Sequence, residues 1–253
     1  MTRSACSVDA MRVTSQRNTR ADVGIIVNGA PATFPLSSLT LEHLQDCSPV
    51  RTFRWHRGQR HFPGWYWSAT DRTHVTYESR LELARLVLAD FDPGVCAIRS
   101  QPLRLTYTDA AGRTRRHVPD FAVIYLDGRI RIVNVKPAER LADESVRELL
   151  EAAHGVLEQR GFSTEIWSGE HPVALSNITY LAAYRNPRLF HADDLEAARA
   201  VVSRAMTVAQ AELAVSDAGV VDARPVLMHL LWTHHVRIDL TQSLQLTSVL
   251  EAA

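Results

Sequence analysis

Lysine is almost missing from this chain of 253 residues: of 28 Lys+Arg positions one is lysine, Lys136, and the rest are arginine. Cysteine is scarce as well. Cys6, Cys47 and Cys96 are scattered and form no CxxC pair, which supports neither a zinc knuckle nor a disulfide framework. Net charge is absent too, with 28 acidic residues against 28 basic ones, so any nucleic-acid surface must be local. No apolar run reaches membrane-span length, and the N-terminus lacks an apolar signal core. A Walker A motif, HExxH and GxSxG are all missing, which removes ATP hydrolysis, zincin chemistry and the serine-hydrolase elbow. The expectation is a soluble protein of a reducing cytoplasm with no membrane association.

The lone lysine is informative because of its neighbours. Arginine is a broad, permanently charged fork, whereas lysine is a compact cation that can touch one oxygen closely. Lys136 ends the apolar run Ile132-Val133-Asn134-Val135, and Pro119-Asp120 precedes another, Phe121 to Tyr125. The Asp127-Gly128 turn joins the two runs as a hairpin. Asn134 and Lys136 lie two apart on one strand and share a face. Asp120, Asn134 and the main-chain carbonyl of Val135 are therefore within reach of one Mg²⁺ ion, with Mn²⁺ as substitute, and Lys136 is beside it. Such a site suits phosphodiester hydrolysis, which needs an activated water and relief of transition-state charge. A carboxylate from the preceding helix completes it. Glu78 and Glu82 both qualify, and Glu78 is preferred because it lies nearer a basic segment.

That segment, residues 50–76, interleaves Arg51, Arg54, His56, Arg57, Arg60 and His61 with Phe53, Trp55, Phe62, Trp65, Tyr66 and Trp67. It reads either as phosphate contact with base stacking or as an aromatic minicore under solvated arginines. Around it the pattern is mixed. Residues 1–22 form a loose arm, and Val23–Val27 and Thr33–Leu36 flank an Asn28-Gly29 turn. A helix is expected over Thr76–Phe91. Strands follow at 95–100, 103–107, 117–126 and 129–135, then a helix over 143–160 and a strand over 162–167. Residues 177–184 read as a last strand or a connector. Helices at 192–206, 207–215 and 226–235 precede short strands at 236–240 and 246–250, the outline of a winged helix.

Four segments, Tyr77-Glu78-Ser79-Arg80-Leu81-Glu82, Ser100-Gln101-Pro102, Val118-Pro119-Asp120-Phe121 and Asn134-Val135-Lys136-Pro137, resemble the TnsA-like transposase endonucleases of the PD-(D/E)xK class. The resemblance implies an α/β (α+β) restriction-endonuclease-like core with a C-terminal winged-helix-like domain. The corresponding boundaries are an arm at 1–22, an endonuclease domain at 23–170, a connector at 171–190 and a winged helix at 191–253. It implies a DNA endonuclease that nicks the 5′ ends of a mobile element beside a DDE transposase. An AAA+ ATPase is implied at the C-terminal domain, with a bacterial, nucleoid-associated location during transposition. Glu78, Asp120 and Lys136 match the family's acid, acid and lysine, and Asn134 falls where an acid or Gln is usual. Arg51, Arg54, Arg57, Arg60, His74 and Gln101 are the expected DNA contacts. Two other readings carry the same core: a stand-alone restriction or repair nuclease, and a catalytically weak DNA-binding adaptor.

Overall fold

The computed structural model describes residues 21–51 and 62–252. Most of the expected arm, together with Arg54, Arg57 and Arg60, lies outside these residues. Among the described residues no helix is long and apolar enough to cross a membrane. The chain divides into two compact units after Gly169, with Asp90–Pro93 grouped with the second.

The first unit opens with β1 (Ala21–Val27), which starts two residues earlier than its apolar pattern suggested because Ala21 pairs with Tyr107. Asn28 and Gly29 both have positive φ, as the tight hairpin turn to β2 (Ala30–Pro35) requires. A short helix, α1 (Leu41–Gln45), and β3 (Cys47–Ser48) follow. Next come a hairpin of β4 (Gly64–Ser68) and β5 (Thr73–Tyr77), then α2 (Arg80–Phe91). Helix was expected from Thr76. Instead the β-branched and aromatic run Thr73–Tyr77 pairs with β4.

The chain then forms β6 (Val95–Ser100), β7 (Arg104–Thr108), β8 (Thr114–His117), β9 (Phe121–Tyr125) and β10 (Ile130–Val135). A short α3 (Ala138–Leu141), α4 (Glu144–Glu158) and β11 (Ser163–Trp167) complete the unit. The single strand expected over His117–Leu126 is broken at Val118-Pro119-Asp120. Proline has no N–H to give a ladder, and here the chain changes sheets. β8 belongs to the sheet ordered β2-β1-β7-β8, and β9 to the sheet ordered β11-β10-β9-β6. The β9–β10 hairpin turns at Gly128, with φ +81. The α4 crossover returns the chain to β11, parallel to β10. Ile130 and Ile132 of β10, Ala122 and Ile124 of β9, and Ala153 and Leu157 of α4 share one core with Val23, Ile25 and Leu105.

The second unit contains α5 (Pro172–Leu181), α6 (Ala192–Val201), α7 (Val208–Asp217), α8 (Ala223–Trp232), β12 (Val236–Ile238) and β13 (Leu250–Ala252). Residues 177–184 are the end of α5 and a 3-10 turn, not a strand or connector. β13 begins where the expected strand at 246–250 ends. Its Leu250 exchanges backbone bonds with Ala205 and Met206, ahead of α7. α8 is buried throughout Val226–Trp232. Asn177 of α5 donates to the Leu240 and Gln242 carbonyls at 2.9 and 2.7 Å and accepts from Leu244 N–H at 3.3 Å. One buried amide thus shapes the loop between β12 and β13.

Candidate active site

Asp120 sits directly ahead of β9 and is 6% exposed. Its N–H donates to the Val133 carbonyl at 3.0 Å, and its carbonyl accepts from Gln101 N–H at 2.8 Å. Its Oδ2 accepts from Val135 N–H at 2.7 Å. The carboxylate is therefore held at the end of two neighbouring strands. Lys136 extends β10 by one step, donating its N–H to the Trp167 carbonyl at 2.9 Å. Its ammonium lies 3.0 Å from the Val135 carbonyl and 3.5 Å from Asp120 Oδ2. The lone lysine and the strand-leading aspartate are brought together.

Glu78 lies between β5 and α2 rather than on a helix. Arg51 grips its Oε2 at 2.8 Å and Gln101 Nε2 donates to its Oε1 at 2.7 Å. Two residues expected to touch DNA thus hold an acid in this structure. Glu82, in the first turn of α2, accepts from the Glu78 N–H at 2.8 Å and from Ser79 Oγ at 3.1 Å. Ser79 Oγ accepts in turn from Glu82 N–H at 3.1 Å, so the two residues start the helix together. Burial pushes the Glu82 carboxyl up to about 7, and the negative charge of Asp120 adds to the rise. Helical spacing alone left Glu78 and Glu82 undecided, because it fixes which residues share a helix face and not which one meets a distant strand.

Asn134 departs from expectation. It is 1% exposed, and its Oδ1 accepts from His117 Nε2 at 3.0 Å and His154 Nε2 at 2.9 Å. The oxygen expected at a metal already has two partners. The sequence reading passed over both histidines. His154 left a signal, since it sits among Leu150, Ala153 and Leu157 on the apolar face of α4. His117 left none, because it reaches Asn134 only by the change of sheet at Pro119. Burial lowers both imidazoles below their ordinary value, so both are uncharged at neutral pH.

Gln101 is the strained member. It is 4% exposed and has φ +45, a region that residues with a Cβ rarely adopt. Its carbonyl accepts from Val50 N–H at 3.0 Å. Its Oε1 is buried without a hydrogen-bond partner. An orphaned buried acceptor costs about 1–3 kcal/mol, and backbone strain of this kind about as much. Both costs fall on one residue beside Glu78 and Asp120. His74 is exposed on β5 and pairs in register with Trp67.

Among the described residues no group of three or more His, Cys, Asp or Glu side chains is arranged to hold a metal ion. The oxygens that could serve a cation here are those of the Asp120 and Glu82 carboxylates, both negative when ionised, and the neutral oxygens of Val135 and Gln101. Hard oxygen donors of this kind, with water filling the other positions, fit Mg²⁺ or Mn²⁺.

A four-stranded mixed sheet crossed by one helix, with Asp and Lys meeting at its strand ends, is the arrangement expected from the resemblance to restriction-endonuclease-like nucleases. Residues 92–169 match the family described as TnsA-like endonuclease N terminal. The stretch from the end of α2 to just past β11 is thus similar to the TnsA-like endonuclease N-terminal domain. No curated protein matches the chain at a significant level.

Proposed function

We propose that this chain is the metal-dependent DNA endonuclease subunit of a heteromeric transposase, nicking the 5′ ends of a mobile element. The observation that carries the reading is the Lys136 ammonium 3.5 Å from Asp120 at the strand ends of a TnsA-like domain. Asp120 and Glu82 would hold a Mg²⁺ ion, with the Val135 carbonyl and Gln101 Oε1 as neutral donors. When bound, it would supply Lewis acidity at the scissile phosphate and lower the pKa of a water. Lys136 offers its N–H donors to a non-bridging phosphate oxygen where charge develops. Glu78 is a positioning residue, tying Arg51 and Gln101 together beside the carboxylates. The His117–Asn134–His154 cluster fixes the end of β10, and with it Val135 and Lys136.

The second unit reads as winged-helix-like: α6, α7 and α8 of its four helices, a short stretch at 205–207 bonded to Leu250, and the β12–β13 hairpin. A DNA-reading winged helix needs an exposed third helix, whereas α8 is buried. This favours a protein partner, and an AAA+ ATPase is the one the family resemblance implies. The test is nicking of mobile-element end DNA by the full chain, with and without the DDE transposase and the ATPase, in Mg²⁺ and Mn²⁺. Cleavage lost in Asp120→Asn supports the reading. Metal-independent cleavage, or cleavage unaffected by that substitution, overturns it.

A further inference from the structure

The β4–β5 ribbon carries two large exposed aromatic rings that the metal site does not use. Phe62, just ahead of β4, is 59% exposed, and Trp65 is 60% exposed. Both are linked to the site through neighbouring residues. Arg80 stacks over the Phe62 ring at 4.6 Å and stands two residues from Glu78 and from Glu82. Trp65 pairs in register with Thr76, whose hydroxyl bonds Ser100 at 2.6 Å, and Ser100 adjoins Gln101. Along this stretch the exposed charge is of one sign. In residues 62–80 the exposed ionisable side chains are Arg72, His74 and Arg80, and neither acid, Asp71 or Glu78, is exposed. Asp71 is in addition paired with Arg99 at 2.8 Å.

Flat apolar rings among exposed cations match a polyanion that carries flat aromatic groups. We propose that Trp65, supported by Phe62, stacks on a nucleobase unstacked next to the scissile phosphate. This rests on the nuclease reading and deepens it. In intact duplex the base faces are covered by their neighbours, so a ring can stack only where pairing is opened. The protein therefore prefers DNA with unpaired bases beside the cut. Stacking of one base on an aromatic side chain contributes enough for about a 5- to 100-fold change in affinity.

The test uses the full chain in Ca²⁺, to hold the complex without cleavage. A perfect duplex is compared with the same duplex opened by a few mismatches and carrying 2-aminopurine in the opened tract. Wild-type protein is expected to bind the opened DNA at least about 5-fold more tightly and to quench the 2-aminopurine. Trp65→Ala should lose the preference and the quenching while keeping its duplex affinity, and Trp65→Phe should recover part of both. Equal affinity of wild-type protein for the two DNAs overturns the proposal, as does a preference that survives Trp65→Ala. If the protein binds and nicks duplex in those cases, the nuclease reading stands. Binding to neither DNA overturns both.

Discussion

At the residue scale the proposed chemistry turns on Asp120, Lys136 and Glu82. Asp120→Asn keeps an acceptor for the Val135 N–H but removes the charge. It should fold normally and lose Mn²⁺ binding by calorimetry, together with nicking by two orders of magnitude or so. Lys136→Arg should lose most activity despite conserving charge, because the guanidinium is too broad for the gap between Asp120 and the Val135 carbonyl. Glu82 supplies a pH signature. Its folded value is raised from 4.5 to about 7, so the stability this group contributes is present below pH 4.5 and is lost as pH rises through 7. A bound cation removes that penalty. Mn²⁺ should therefore raise Tm more at pH 8 than at pH 5.5, and Glu82→Gln should flatten the difference. An equal Mn²⁺ shift at both pH values in the wild type would place Glu82 away from the ion.

Two elements set the geometry of these residues. The start of α2 is held by Ser79, whose Oγ accepts from Glu82 N–H. Ser79→Ala should cost about 1 kcal/mol in chemical denaturation. Because Ser79 also donates to Glu82 Oε1, it should weaken Mn²⁺ binding as well. The second element is α4, which delivers His154 to Asn134. The folded values of His154 and His117 are lowered, so their contribution is present above the unfolded value of 6.5 and drains away as pH falls below it. Thermal stability should drop on the acid side of pH 6.5, and less so in a double variant with both histidines replaced by Gln. Direct metal ligation by Asn134 would instead require its Oδ1 to leave both rings.

At the scale of the whole molecule the chain is two compact units, and α5 goes with the second. A truncation after Tyr184 would strip α5 and the turn after it of the α8 surface they contact. A cut after Gly169 follows the division between the units, although Asp90–Pro93 would lose its grouping. Deletion of residues 170–253 is expected to leave Mn²⁺ binding measurable by calorimetry and to abolish capture of the ATPase. Retained capture with lost DNA binding would reverse the role of the second unit.

Much of the first unit was legible because its signals are local. The Asn28-Gly29 and Asp127-Gly128 turns, the amphipathic run of α4, and the β10 run ending in Lys136 each follow from spacing and backbone preference. The pairing of Asp120 with Lys136 was legible too, since a tight hairpin makes neighbours of its two strands. What failed to show were meetings between elements far apart in sequence. Gln101 and Arg51 converge on Glu78, His117 and His154 converge on Asn134 from a second sheet and a helix, and Asn177 ties a loop more than sixty residues away. Periodicity states which face a residue occupies, but not which distant face it meets. Residue chemistry chose the candidates, and packing decided that Arg51 and Gln101 hold Glu78 and that the amide of Asn134 belongs to two histidines.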